Sequence, residues 1–92
     1  MLYNNLPSLD LHGLDREITA ILVNEFISDN YKLGNGKVVI IHGKGTGILK
    51  KTVHETLKKN KNVLKYYIDF FNDGTTIVEI KIKSWQYTCF VL

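Results

Sequence analysis

Twice in this chain an apolar run with strand character ends in His-Gly and gives way to a helical pattern. The first passage is Leu9-Asp10-Leu11-His12-Gly13. The second is Val38-Val39-Ile40-Ile41 followed by His42-Gly43-Lys44-Gly45-Thr46-Gly47. Strand, tight turn and helix in repeated succession restrict the chain to a layered α/β arrangement. They also set both turns at carboxyl ends of strands and amino ends of helices, where such folds hold their ligands.

Leu9 and Leu11 alternate with Asp10 and His12, a strand pattern that projects Asp10 and His12 from the same side. Asp15 suits an N-cap and Glu17 a first helical turn. Ile18, Ile21, Leu22, Phe26 and Ile27 then recur at helical spacing and predict an amphipathic helix over 16–31. Gly34-Asn35-Gly36 reads as a turn. The unbroken β-branched run 38–41 suits a strand covered on both faces, and therefore central. Ile48, Leu49, Val53 and Leu57 predict a second helix over about 47–59, with lysines outside.

Residues 63–71 alternate again, with Leu64, Tyr66, Ile68 and Phe70 on one face and Lys65, Tyr67, Asp69 and Phe71 on the other. Asn72-Asp73-Gly74 is a hairpin-type turn signal. Residues 75–83 complete the hairpin, with Val78, Ile80 and Ile82 inward. The order is βαβαββ, and right-handed crossovers place both helices on one face. The expected fold is a two-layer α/β sandwich with a mixed four-stranded sheet whose other face is partly open. The apolar segment 84–92 is too aromatic for a solvated end. It adds a strand, covers the open face, or pairs with a second chain, and with Trp85 on its apolar side Trp85 is expected to be buried. Monomer and homodimer both remain open.

The 92 residues make one small domain with a thin core. Cys89 has no second cysteine to pair with, and no secretory signal is present, so the expected compartment is the cytoplasm. No run approaches the roughly 20 apolar residues that span a bilayer, and no membrane association is expected. Lysines stand at 37, 44, 50, 51, 58, 59, 61 and 65 against one acid, Glu55. A stretch this basic attracts a polyanion or forms a solvated helix face.

The turn 43–47 offers bare backbone N–H groups and the Lys44 ammonium to an anion. It lacks the spacing of a Walker A loop and of the dinucleotide fingerprint, so the phosphate of a longer polymer is the better ligand. Its glycines would equally serve turn geometry alone. At Gly45 a larger side chain would crowd the anion, and would be strained if the backbone there has positive φ. His12 beside Asp10 suits an acid/base group with an orienting carboxylate. His42 either joins His12 around one phosphodiester or holds its turn. His54 has no evident partner and reads as surface. No metal-ligand spacing is present.

At these residues the chain resembles the small MutS-related, or Smr, family over about residues 8–83. Leu9-Asp10-Leu11-His12-Gly13 is similar to the family's LDxHG motif. His42-Gly43-Lys44-Gly45-Thr46-Gly47 with Leu49 is similar to its HGxG or TGxG turn, and Gly74-Thr75-Thr76-Ile77-Val78-Glu79-Ile80 resembles the end of its third conserved stretch. Asn72-Asp73 departs from the family, which carries more glycine there, and the aromatic tail extends past the usual domain end.

The resemblance implies a βαβαββ sandwich like the C-terminal domain of a bacterial translation initiation factor. It implies nucleic-acid binding and, in many members, endonuclease activity on DNA or on RNA, including messenger RNA on stalled ribosomes. By carry-over Asp10 and His12 are catalytic, and His42 to Gly45 hold substrate. The expectation is the domain alone, a nucleic-acid endonuclease without ATPase or clamp segments. Asp10, His12 and His42 would act on the phosphodiester. Gly43, Lys44, Gly45, Thr46, Gly47, Lys50, Lys51 and Lys58 would bind the strand. On RNA the 2′-hydroxyl is available as nucleophile; on DNA water must attack, and a divalent metal is then implied. The alternative is a non-catalytic module that holds structured nucleic acid or a ribosomal surface.

Overall fold

The computed structural model describes residues 6–45 and 47–82. Thr46, Lys83 and the segment 84–92, with the expectation that Trp85 is buried, lie outside the described residues. The elements are β1 (Ser8–Asp10), α1 (Arg16–Leu33), β2 (Lys37–Ile41), α2 (Ile48–Lys59), β3 (Val63–Asp69) and β4 (Asn72–Ile80). They form one mixed sheet in the order β1-β2-β4-β3. β1 and β2 are parallel, and β4 is antiparallel to both of its neighbours, β2 and β3. The last strand therefore inserts between β2 and β3, and the crossover through α2 spans it.

Both helices pack on one face of the sheet. Val23 and Ile27 of α1, Val53 and Leu57 of α2, and Val38, Ile40, Val78 and Ile80 of the sheet form one buried cluster with Leu11. β2 is central, as its unbroken β-branched run requires. Val39 and Ile77 are buried on the other face, where Tyr67 is exposed.

Local chemistry explains the ends of α1. The Asp15 carboxylate accepts the Ile18 N–H at 3.0 Å as an N-cap. Gly34, at φ +81°, closes the helix: its N–H reaches Tyr31 O, and the Asn35 N–H reaches Asn30 O at 2.9 Å. The buried Asn30 side chain donates to Phe26 O and accepts from Asn35, both at 2.8 Å, so the polar group is satisfied where it is buried.

Several details differ from the sequence reading. His12 lies two residues beyond the end of β1, in the turn, rather than on the strand. The buried stripe of α1 is Thr19, Val23, Ile27 and Asn30, while Ile18 and Ile21 face outward. Ile21 is 61% exposed. Packing against α2 and the sheet selects the stripe. On α2, Ile48 is likewise exposed.

The hairpin also reverses earlier than Asn72-Asp73-Gly74. Asp69 pairs with Asn72, so Phe70-Phe71 form the two-residue tip. The Asp69 carboxylate accepts the Phe71 N–H at 3.0 Å and the Asn72 side chain accepts the Gly74 N–H at 3.0 Å, two successive Asx turns. No described residue other than glycine has positive φ, so the tip is not a type I′ turn. The register shift between Ile68 and Asp69 accommodates the mismatch in twist. With that shift and another between Val63 and Lys65, the simple alternation along 63–71 is broken. Finally, Ile82 lies past the end of β4 and is exposed rather than inward.

Candidate functional site

Parallel pairing brings the ends of β1 and β2 to the same edge of the sheet. The Leu11 N–H donates to Ile41 O at 2.7 Å, tying the two turns together. A Cβ at Gly43 would stand 3.6 Å from the His12 Cβ, so the two His-Gly turns are side by side. Because β4 runs antiparallel to β2, with Ile41 opposite Thr75, the Phe70–Gly74 end of the hairpin reaches this edge too.

The turns and the first residues of both helices enclose a cleft of about 740 Å³. His12, Gly43, Lys44, Gly45, Gly47 and Lys50 line it, together with Arg16 from the start of α1. Three cations and the amino end of α2 therefore face one space, which Asp15 also lines while its carboxylate caps α1. No acidic residue sits in the first turn of α2, and Gly47 leaves its N-terminal N–H groups without a side-chain cap. Such an end favours an anion.

At the mouth of this cleft Asp10 and His12 form a pair. The Asp10 Oδ1 accepts the His12 backbone N–H at 3.1 Å and lies 2.7 Å from its Nδ1. The carboxylate accepts, so Nδ1 carries the proton and Nε2 is left to solvent. The hydrogen bond to Asp10, reinforced by its charge, raises the imidazole pKa above 6.5; the same bonds lower that of Asp10.

His42 is placed differently. It is 3% exposed, and both ring nitrogens are engaged within the protein. Nδ1 donates to Gly43 O at 3.0 Å, which leaves Nε2 to accept from the Thr76 hydroxyl at 2.8 Å. Thr76 Oγ1 in turn accepts from His54 Nε2 at 2.9 Å. One hydroxyl thus joins two imidazoles in a directed chain from α2 through β4 to the glycine turn. His54 is not the unpartnered surface group expected from sequence. It is half-buried, lies edge-on to His42 and stacks at a tilt on Tyr66, with centroids 6.1 and 5.0 Å away. Burial, with His42 and Lys50 adding to it, lowers its pKa.

The family profile of the Smr domain matches residues 9–81. The chain belongs to the Smr domain family. It is 37% identical over 76 residues to Endonuclease MutS2 of Clostridium perfringens, covering 83% of this chain. It is 42% identical over 76 residues to Endonuclease MutS2 of Clostridium botulinum strain Eklund 17B, covering 79%. In both cases it spans about 10% of the relative's length. The Smr domain of Thermus thermophilus MutS2 superposes with a TM-score of 0.80 at 26% identity, over 83% of this chain and 99% of that one. YdaL, a stand-alone small MutS-related protein from Escherichia coli, gives 0.79 at 25% identity, over 88% of this chain and 71% of that one.

Within this Smr fold Gly74 has a packing role. Its carbonyl accepts the N–H groups of both His42 and Gly43, at 3.0 and 2.9 Å. A Cβ there would come within 3.1 Å of the Lys44 side chain and 3.2 Å of the Gly43 carbonyl carbon. Asp73 approaches Lys44 at 3.6 Å. Gly74 and Asp73 of β4 thus support the glycine turn.

The expected binding lysines divide between two concavities. Lys44 and Lys50 line the main cleft. Lys51 and Lys58 line a shallower one of about 340 Å³ beside it, with Lys50 shared and His54 and Tyr66 in the wall. Sequence reasoning missed Arg16, which only tertiary packing brings to the cleft, and the Thr76–His54 support. Among the described residues no three His, Cys, Asp or Glu side chains are grouped to hold a metal ion. No helix among them is long and apolar enough to cross a membrane.

Proposed function

We propose that this Smr domain is a nucleic-acid endonuclease that holds a phosphodiester backbone in the cleft between its two His-Gly turns. One observation carries the reading: an exposed, carboxylate-oriented imidazole opens onto a cleft lined by Lys44, Lys50 and Arg16. The relatives named as endonucleases support the activity class. The three cations and the α2 amino end bind the phosphates, and Lys51 and Lys58 extend the track along α2. Lys44 stabilises charge developing on the scissile phosphate. His12 Nε2 is the acid/base group. Its raised pKa keeps a larger protonated share near neutral pH, which suits proton donation to the leaving oxygen.

His42 enters this reading as a positioning group. Its ring is committed to Thr76 and Gly43, so it shapes the turn rather than flanking the phosphodiester with His12. On DNA, a divalent ion would be held through Asp10 and His12 and would activate the attacking water. Among the described residues no third His, Cys, Asp or Glu side chain joins them.

The deciding experiment is incubation of the purified protein with labelled single-stranded and branched DNA and RNA, with and without chelator, beside His12→Ala. Loss of cleavage by roughly 10²–10⁴ with affinity kept within a few-fold is the expected result. A second reading, binding to structured nucleic acid or a ribosomal surface without cleavage, is favoured by the single exposed imidazole at the cleft. It takes over if the wild type cleaves nothing under any metal condition.

A further inference from the structure

Two phenylalanines make the tip of the hairpin whose Gly74 and Asp73 contact the glycine turn. Phe70 is 91% and Phe71 78% exposed, with their rings edge to face at 5.1 Å. Turn chemistry favours Gly, Asn, Asp or Ser at such a tip, and bulky rings held in water gain no burial. A local rule broken in this way marks a site where function outweighs folding.

Position identifies the occupant. Phe71 is three residues from Gly74, whose carbonyl anchors the glycine turn, and Asp73 meets Lys44. The tip therefore lies at the same end of the sheet as the cleft proposed to hold phosphates, and Asp73 and Gly74 connect the two. Behind it, on the sheet face away from the helices, Tyr67 lines a shallow hollow of about 500 Å³ shared with both phenylalanines. Tyr67 is held by Glu79, to which its hydroxyl donates at 3.4 Å, and lies under the Lys65 ammonium at 5.9 Å. A basic cleft with exposed rings at the same end of the sheet is the combination that binds single-stranded nucleic acid, phosphates on the cations and bases on the aromatic faces.

Resting on the nucleic-acid reading above, we infer that Phe70 and Phe71 form a stacking platform for unpaired bases of the strand held in the cleft. The substrate class this selects is single-stranded or locally unpaired nucleic acid, because a base stacked in a duplex has no free face to offer.

The test is fluorescence anisotropy with a short labelled single strand, as DNA and as RNA. The same strand with abasic sites and its duplex are run beside it. Wild type should bind the intact strand more tightly than the abasic one. Phe70→Ala/Phe71→Ala should lose roughly fivefold or more on the intact strand and little on the duplex. The salt slope should not change, since no phosphate contact is removed. Phe70→Trp/Phe71→Trp should restore affinity. Equal wild-type affinity for intact and abasic strands overturns the inference, as does an Ala variant that binds like wild type; both leave the cleft reading standing. A drop in molecular mass by light scattering in the Ala variant would assign the rings to self-association instead. Wild type that binds no nucleic acid removes the cleft reading and this one together.

Discussion

A single oxygen of Asp10 receives two hydrogen bonds from His12, the backbone N–H at 3.1 Å and the ring Nδ1 at 2.7 Å. The first bond sets the turn and the second sets the tautomer, so the local fold and the candidate chemistry share one atom. Both side chains are exposed, so the pair acts on protonation more than on stability. Its small folding contribution is present between the ordinary carboxylate value of 3.8 and the ordinary imidazole value of 6.5. It is lost as pH falls through the lowered pKa of Asp10 or rises through the raised pKa of His12. Asp10→Asn removes the raising influence. The His12 titration, followed by NMR, should move to lower pH, and any cleavage limb that depends on protonated His12 should move with it. An unchanged His12 titration would count against the pair.

Lys50 lines both concavities and Lys51 the second. Replacing both by Ala should weaken binding similarly across many sequences and flatten the dependence of log affinity on log salt. Each phosphate contact contributes about 0.7–0.9 to that slope. A salt titration with an unchanged slope would move the binding surface away from α2.

The glycines of the turn are not equivalent. Gly47 has φ +87°, so Gly47→Ala should cost about 1–2 kcal/mol in a thermal melt. Gly45 has no positive φ, and an added Cβ meets nothing within 4 Å. Gly45→Val should therefore melt like wild type while weakening nucleic-acid binding. Intact binding by that variant would remove the argument that the turn must stay bare.

Thr76→Val keeps the shape of a fully buried side chain and deletes the hydroxyl between His42 and His54. Leaving the buried His42 nitrogen unpaired should cost about 1–3 kcal/mol in denaturant unfolding. If the variant is as stable as the wild type, the hydroxyl does not hold the turn.

The orientation of α1 is open to a paired test. Ile27→Ala should destabilise by about 2–5 kcal/mol and Ile21→Ala by no more than about 0.5 kcal/mol. Equal losses would mean that the helix is rotated from the orientation described.

Read alone, the sequence determined whatever depends on neighbours along the chain. Asp15 and Gly34 bound α1 because capping is a matter of a few residues. The β-branched run marks a central strand, and the two His-Gly turns fall at strand ends. Tertiary structure decided what depends on distant partners. Thr19 and Asn30 are buried in α1, and Ile18 and Ile21 are not, because the helix offers apolar residues on several sides and the packed neighbours choose among them. The tip falls at Phe70-Phe71 because the Asp69–Asn72 pairing sets the register, overriding the local signal of Asn72-Asp73-Gly74. His54 is bound into the site, and His42 beneath it, by a hydroxyl from β4. That strand lies far along the chain, and no local pattern encodes where a long-range pairing will bring it.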